Sequence, residues 1–188
     1  MNYKQLTLLS LIFVSATALE AMSQDTRTDN HQITVVIPDV ALLDLESSVS
    51  KNFSATFTQT GPAEAGDKIT VPTANANLWL NYSSILPTTV LSRRVDVKAS
   101  ALVTGVSISV LAATATATGA GTKGTPTAAV ILTTTDQPII STIGSVYTVT
   151  GPNNGHLLTY SFAALDADYA ALRAGSTPIT VTYTLADN

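Results

Sequence analysis

The chain has 188 residues, 45% of them hydrophobic, 12% charged and 6% aromatic, with no cysteine and a formal net charge of −4. That length suits one domain of about 100–200 residues with a sizeable core. Nine Lys and Arg against 13 Asp and Glu leave no basic footprint for phosphate, which argues against a nucleic-acid partner, and the missing thiols exclude disulfides, cysteine nucleophiles and cysteine-ligated metal.

Residues 1–23 read as a secretory signal peptide. Lys4 supplies the positive start, Leu6 to Val14 the apolar run, and Ala21-Met22-Ser23 the small residues before a cut at Gln24. A cut after Ala18 fits the same pattern. The run is shorter than the roughly 18 apolar residues that span a bilayer. The expectation is export through the Sec pathway, to a secreted or cell-surface location.

From there the chain is written in period-2 alternation. Ile33, Val35 and Ile37 alternate with Thr34 and Val36, then Phe53, Ala55 and Phe57 with Ser54, Thr56 and Thr58. Leu78, Leu80 and Tyr82 alternate around Trp79, and Val95 and Val97 bracket Asp96. Val106, Ile108 and Val110 follow, then the runs 129–132, 146–149 and 158–162, and finally Ile179, Val181, Tyr183 and Leu185 interleaved with threonines. Turn residues such as Thr60-Gly61-Pro62 and Gly151-Pro152-Asn153-Asn154-Gly155 bound them. About ten short strands with polar outer faces predict an all-β antiparallel sandwich. Asp39, Asp44 and Glu46 read as a solvated edge. The low-complexity stretch Ala112–Pro126 reads as a strand end running into a long exposed loop. Asp166–Ala174 is the one helical candidate, with acids at its start, Arg173 in its last turn and Gly175 for the left-handed position beyond.

Reactive constellations are not written here. His31 and His156 lack a carboxylate or second histidine at a useful spacing, and His156 reads as a half-exposed residue at a strand start. Asp166-Ala-Asp168 lacks the glycine and the glutamate of a calcium loop. No nucleophile elbow, zinc pair or phosphate loop is present. The expectation is a protein that is not an enzyme and takes no cofactor or metal. Arg93-Arg94 sends its side chains to opposite faces, toward surface or inter-subunit ion pairs. Asn52-Phe-Ser54 and Asn81-Tyr-Ser83 match the glycosylation sequon. Trp79 points opposite Leu78 and Leu80: outward if those are core, inward if the strand is buried on both faces. With Tyr82 it is the candidate ligand contact.

Thirty threonines and 25 alanines, counted along the chain, suit strand pairing and close lateral contact. In layout the chain resembles the fimbrial (pilin-like) subunits of Gram-negative bacteria, Ig-like sandwiches that lack one strand and receive it from a neighbour. Three features carry the resemblance: the leading segment 24–38 with its alternating Ile33–Ile37, the strand Ile179–Leu185 close to the end, and Gly175 shortly before it. It departs from them in having Asp187 next to last and no cysteine. The resemblance implies a surface homopolymer built by strand addition. Ile33, Val35 and Ile37 would be the donor and Ile179, Val181, Tyr183 and Leu185 the acceptor edge, with a periplasmic chaperone and an outer-membrane usher as partners. The same layout fits a complete sandwich in which Ile33–Ile37 pairs within its own molecule. The alternative function is a secreted carbohydrate-binding or adhesin module contacting a glycan or cell surface through Trp79, Tyr82 and the loops 119–126 and 151–156. The organisation expected is a signal peptide to residue 23, an extension over 24–38 and a sandwich over 39–188.

Overall fold

The computed structural model describes residues 27–188, so the expected signal peptide and both cleavage points lie outside the described residues. The chain divides into a unit ending at Val36 and a second unit, Ile37–Asn188. In the first, residues 28–36 form no strand or helix.

The regular structure of the second unit consists of strands apart from one short 3-10 helix. In chain order they are β1 (Val40–Ser47), β2 (Thr58–Gln59), β3 (Ile69–Thr70), β4 (Asn75–Ile85), β5 (Arg93–Ala99), β6 (Ser107–Ala112), β7 (Ala120–Pro126), β8 (Val130–Ile131), β9 (Gln137–Tyr147), β10 (His156–Ala163) and β11 (Val181–Asp187). Strands β2 and β3 pair only with each other. The rest form one antiparallel sheet in the order β11-β5-β9-β4-β10-β6-β8, with β1 alongside β4 and β7 alongside β9.

That sheet is sandwich-like because β4 changes partners midway. One edge of β4 pairs with β1 from Leu78 to Ile85. The other edge meets β10 at Leu78–Leu80 and β9 at Ser83–Ser84. The β10-β6-β8 half and the β7-β9-β5-β11 half are therefore joined along one strand, and the core lies between them.

Alternation fills that core. Leu78, Leu80 and Tyr82 of β4, Val95 and Val97 of β5, Val110 of β6 and Leu158 and Tyr160 of β10 point inward. In β9 the neighbours Ile139 and Ile140 are both buried, which strict alternation forbids. Register shifts against β5 between Val95 and Asp96, and again between Arg93 and Val95, resolve this: β9 carries extra residues there, and Thr142 adopts a φ of 55°.

Four expectations are corrected. The first strand is not Ile33–Ile37 but β1, which begins at Val40 in the segment read as a solvated edge. Leu43 and Leu45 pack on the core while Leu42 and Asp44, facing Ser83 and Asn81, point outward. The adjacent leucines and the acids hid the pattern. Ala112–Pro126 is not a free loop, because β7 pairs along β9 from Tyr147 to Ile140. Its glycines are what permit the approach. A Cβ on Gly119 would lie 2.0 Å from the Tyr147 carbonyl oxygen, one on Gly121 would lie 2.1 Å from that of Ser145, and both residues have positive φ.

The run 53–58 forms a strand only at Thr58–Gln59. Phe53 instead covers the core edge-on, its ring 5.3 Å from Tyr160 and 6.5 Å from Phe162. The helix is a single 3-10 piece, Asp166–Ala171, with no buried residue to anchor a longer one. It stops short of Ala174, and Gly175 is not left-handed.

Candidate assembly surface

The leading segment is apolar and bare. Ile33, Val35, Val36 and Ile37 are 70–81% exposed and belong to no strand. Exposing four β-branched aliphatics within five residues is unfavourable in water, because burying each would gain about 1.5–3 kcal/mol. Pro38 follows and removes a backbone donor where β1 would otherwise extend. His31, in the same segment, is exposed as well.

At the other end of the chain, β11 pairs with β5 from Val181–Ala99 to Asp187–Arg93. Its second edge carries no strand among the described residues, and neither does the second edge of β1. The sequence placed Ile179, Val181, Tyr183 and Leu185 on this strand. Ile179 precedes it by two residues, yet all four pack half-buried against the core. The hydroxyls of Tyr183 and Tyr160 lie 2.6 Å apart. Burial pushes both phenols up, Tyr160 to about 12 and Tyr183 further, so the pair is neutral and shares its protons as hydrogen bonds.

Strands β1 and β11 touch, and Arg93 is the reason their ends stay together. Its side chain is 3% exposed. Nε donates to Asp187 Oδ1 at 2.7 Å, and Nη2 to Asp39 Oδ1 at 2.7 Å. Nη1 donates to the Val40 carbonyl, to Ser84 Oγ at 3.2 Å and to the Ile85 carbonyl at 3.4 Å. The two carboxylates, hydrogen-bonded to the guanidinium, hold it still more firmly in its charged form. Arg93 is thus not the surface group expected from the sequence but an internal clamp on the start of β1, the end of β4 and the end of β11. Arg94, on the opposite face, closes on Asp96, with Nε 3.0 Å from each carboxylate oxygen. Sequence alternation separates the two arginines correctly but does not show which one points inward.

The candidate ligand contacts part company. Trp79 is half-buried on the outer face, opposite Glu46 of β1 and Leu157 of β10. Tyr82 is 3% exposed, and it does not present a face to a ligand. Its hydroxyl donates inward, divided between the Lys123 carbonyl and His156 Nε2, the latter at 2.7 Å. His156 is fully buried, not half-exposed. Its Nδ1 is 2.8 Å from the Ala113 carbonyl, to which it donates, and its ring stacks on Tyr82 at 5.6 Å. Burial is the main influence on this imidazole and pushes its pKa down. The position facing Leu80 across β4 puts it inside; no local signal marks that.

Asn52 is exposed, whereas Asn81 is 5% exposed with its amide nitrogen donating to the Gly151 carbonyl, so only the first sequon is open to modification. Asp166 pairs with Lys68 at 2.5 Å. Among the described residues no three His, Asp or Glu gather where they could hold a metal ion. Comparison of the chain with protein-family models, with curated proteins and with solved structures finds no match.

Proposed function

We propose that this chain is a secreted structural subunit of a surface filament, assembling by β-strand addition. The observation that carries the reading is the bare, alternating run Ile33–Ile37, which has the composition of a strand and belongs to none. A strand edge of a second copy is its natural sink. Backbone groups would complete the ladder while alternate side chains enter pockets along the core.

The acceptor is the free edge of β11, where Ile179, Val181, Tyr183 and Leu185 sit half-buried. Burying three aliphatic donors would contribute on the order of 5–9 kcal/mol gross. A chaperone that shields this edge before assembly and an usher that hands subunits on are the partners such a route requires. Arg93 gives the design mechanical sense. By fastening Asp39 it fixes the point from which the segment departs, and by fastening Asp187 it holds the acceptor strand to the same body.

The test is deletion of residues 24–38, with Val35→Asp as the point variant. Electron microscopy and sedimentation of the secreted material should show polymers for the parent and only soluble subunits for both variants. A parent that remains monomeric at every concentration, or variants that polymerise as it does, would overturn the reading.

A further inference from the structure

Outward-facing residues of β4 form the floor of a second surface, independent of the free edges. Trp79, Asn81 and Ser83 face Glu46, Asp44 and Leu42 of β1, and Ser83 also faces Tyr147 of β9. Two aromatic residues therefore share one face of the sheet. Between β1 and the exit of β9 lies a groove of about 300 Å³, lined by Leu42, Asp44, Asn81, Ser83, Tyr147 and Thr150 among others.

Each part of this groove has a chemistry. Tyr147 is 54% exposed, so its ring is available for stacking. Asp44 accepts from Lys51 Nζ at 3.2 Å, and this contact lowers its carboxyl below the usual range, leaving an ionised acceptor at the groove. The buried Asn81 has an Oδ1 with no donor. Val149, also on the wall, holds a φ of 71°, a strained value for a β-branched residue. Such strain persists where the surroundings over-determine it, as they do around ligands.

The combination selects a ligand class. No arginine or lysine lines the groove, which disfavours phosphate and carboxylate ligands. The one acid, Asp44, already has a cation beside it, which disfavours amines. An aromatic face attracts the C–H side of a saturated ring through its negative quadrupole. An ionised carboxylate is acceptor-only and takes hydroxyl donors. The volume is at the small end of ligand sites, enough for one ring rather than a peptide. We propose that this groove binds a neutral pyranose ring of a glycan, stacked on Tyr147 with its hydroxyls donating to Asp44. Of the places the sequence suggested for a glycan, Tyr82 lines the groove but its buried ring is no stacking face, and Trp79 and the loops 119–126 and 151–156 are not among the lining residues.

Saturation-transfer difference NMR on the full chain reads this whether the protein is soluble or assembled. The probes are the methyl glycosides of glucose, galactose, mannose and N-acetylglucosamine. At least one should show saturation concentrated on the C–H protons of a single ring face. Tyr147→Ala and Asp44→Asn should each weaken that binding by about threefold to tenfold, with Tyr147→Phe retaining it and thermal melting unchanged in Tyr147→Phe and Asp44→Asn. Tyr147→Ala is the variant more exposed to folding losses, and Asp44→Asn keeps the test decisive if it misfolds. No saturation with any of the probes, or binding unaltered in both Tyr147→Ala and Asp44→Asn, would overturn the proposal.

Discussion

Arg93 and Asp187, 94 residues apart, are joined at 2.7 Å where the first position of β5 meets the last of β11. The same guanidinium reaches Asp39. Removing it strips hydrogen bonds from two backbone carbonyls and a serine at once. Arg93→Met should therefore destabilise the protein by about 2–3 kcal/mol. That is below the 3–5 kcal/mol of fully buried pairs, because the carboxylates left behind are half exposed. The double variant Asp39→Asn, Asp187→Asn should cost more, since it strands a buried cation. Urea denaturation of the three proteins checks the order.

His156 makes stability depend on pH. Its native pKa lies below the ordinary value of about 6.5 because burial opposes the charge. Below that value the unfolded chain takes up a proton that the native one does not, so stability falls as pH drops and is greatest above it. Melting temperature should decline between about pH 7 and about pH 5, and His156→Gln should flatten that part of the decline. Lys123 is the one charged side chain acting on the imidazole, and it presses the same way. An unchanged slope in His156→Gln would refute the assignment.

The glycines of β7 are structural rather than loose. Gly121→Ala must bring a methyl group to 2.1 Å from the Ser145 carbonyl while holding a φ of 95°. The expected loss is at least about 2 kcal/mol, since backbone strain of this kind alone costs about 1–3. Gly175→Ala meets nothing within 4 Å and has no such φ, so it should be neutral or slightly stabilising. Paired thermal melts distinguish a strand from a flexible linker here.

Val35→Asp should leave folding untouched, because Val35 is 78% exposed. Circular dichroism and melting of the monomeric variant should match the parent, while any assembly is lost. A drop of more than about 0.5 kcal/mol, the usual range for surface changes, would mean that Val35 packs within its own molecule.

The sequence spoke clearly where alternation and burial agree. Leu78-Trp79-Leu80 and the threonine-spaced Tyr183 and Leu185 sit as their period demands, and the all-β class follows from such runs, whereas in Val95-Asp96-Val97 all three residues are buried. It was mute where a pairing partner decides. Val40–Ser47 becomes a strand because β4 offers it an edge, not because of its own pattern. The threonine–glycine stretch becomes β7 because β9 needs a neighbour that can come close. Of the two arginines, the inward one is chosen by Asp39 and Asp187, both far away in the chain. Nothing in the sequence singled out Tyr147, whose place beside Ser83 is set by the pairing of β9 with β4.

The sharing of β4 has a mechanical consequence. Leu78–Leu80 bond one half of the sandwich and Ser83–Ser84 the other, so a displacement of this one backbone reaches both sides while each side keeps its own hydrogen bonds. In the filament proposed above, a pull arriving at one half of a subunit would pass to the other along that strand.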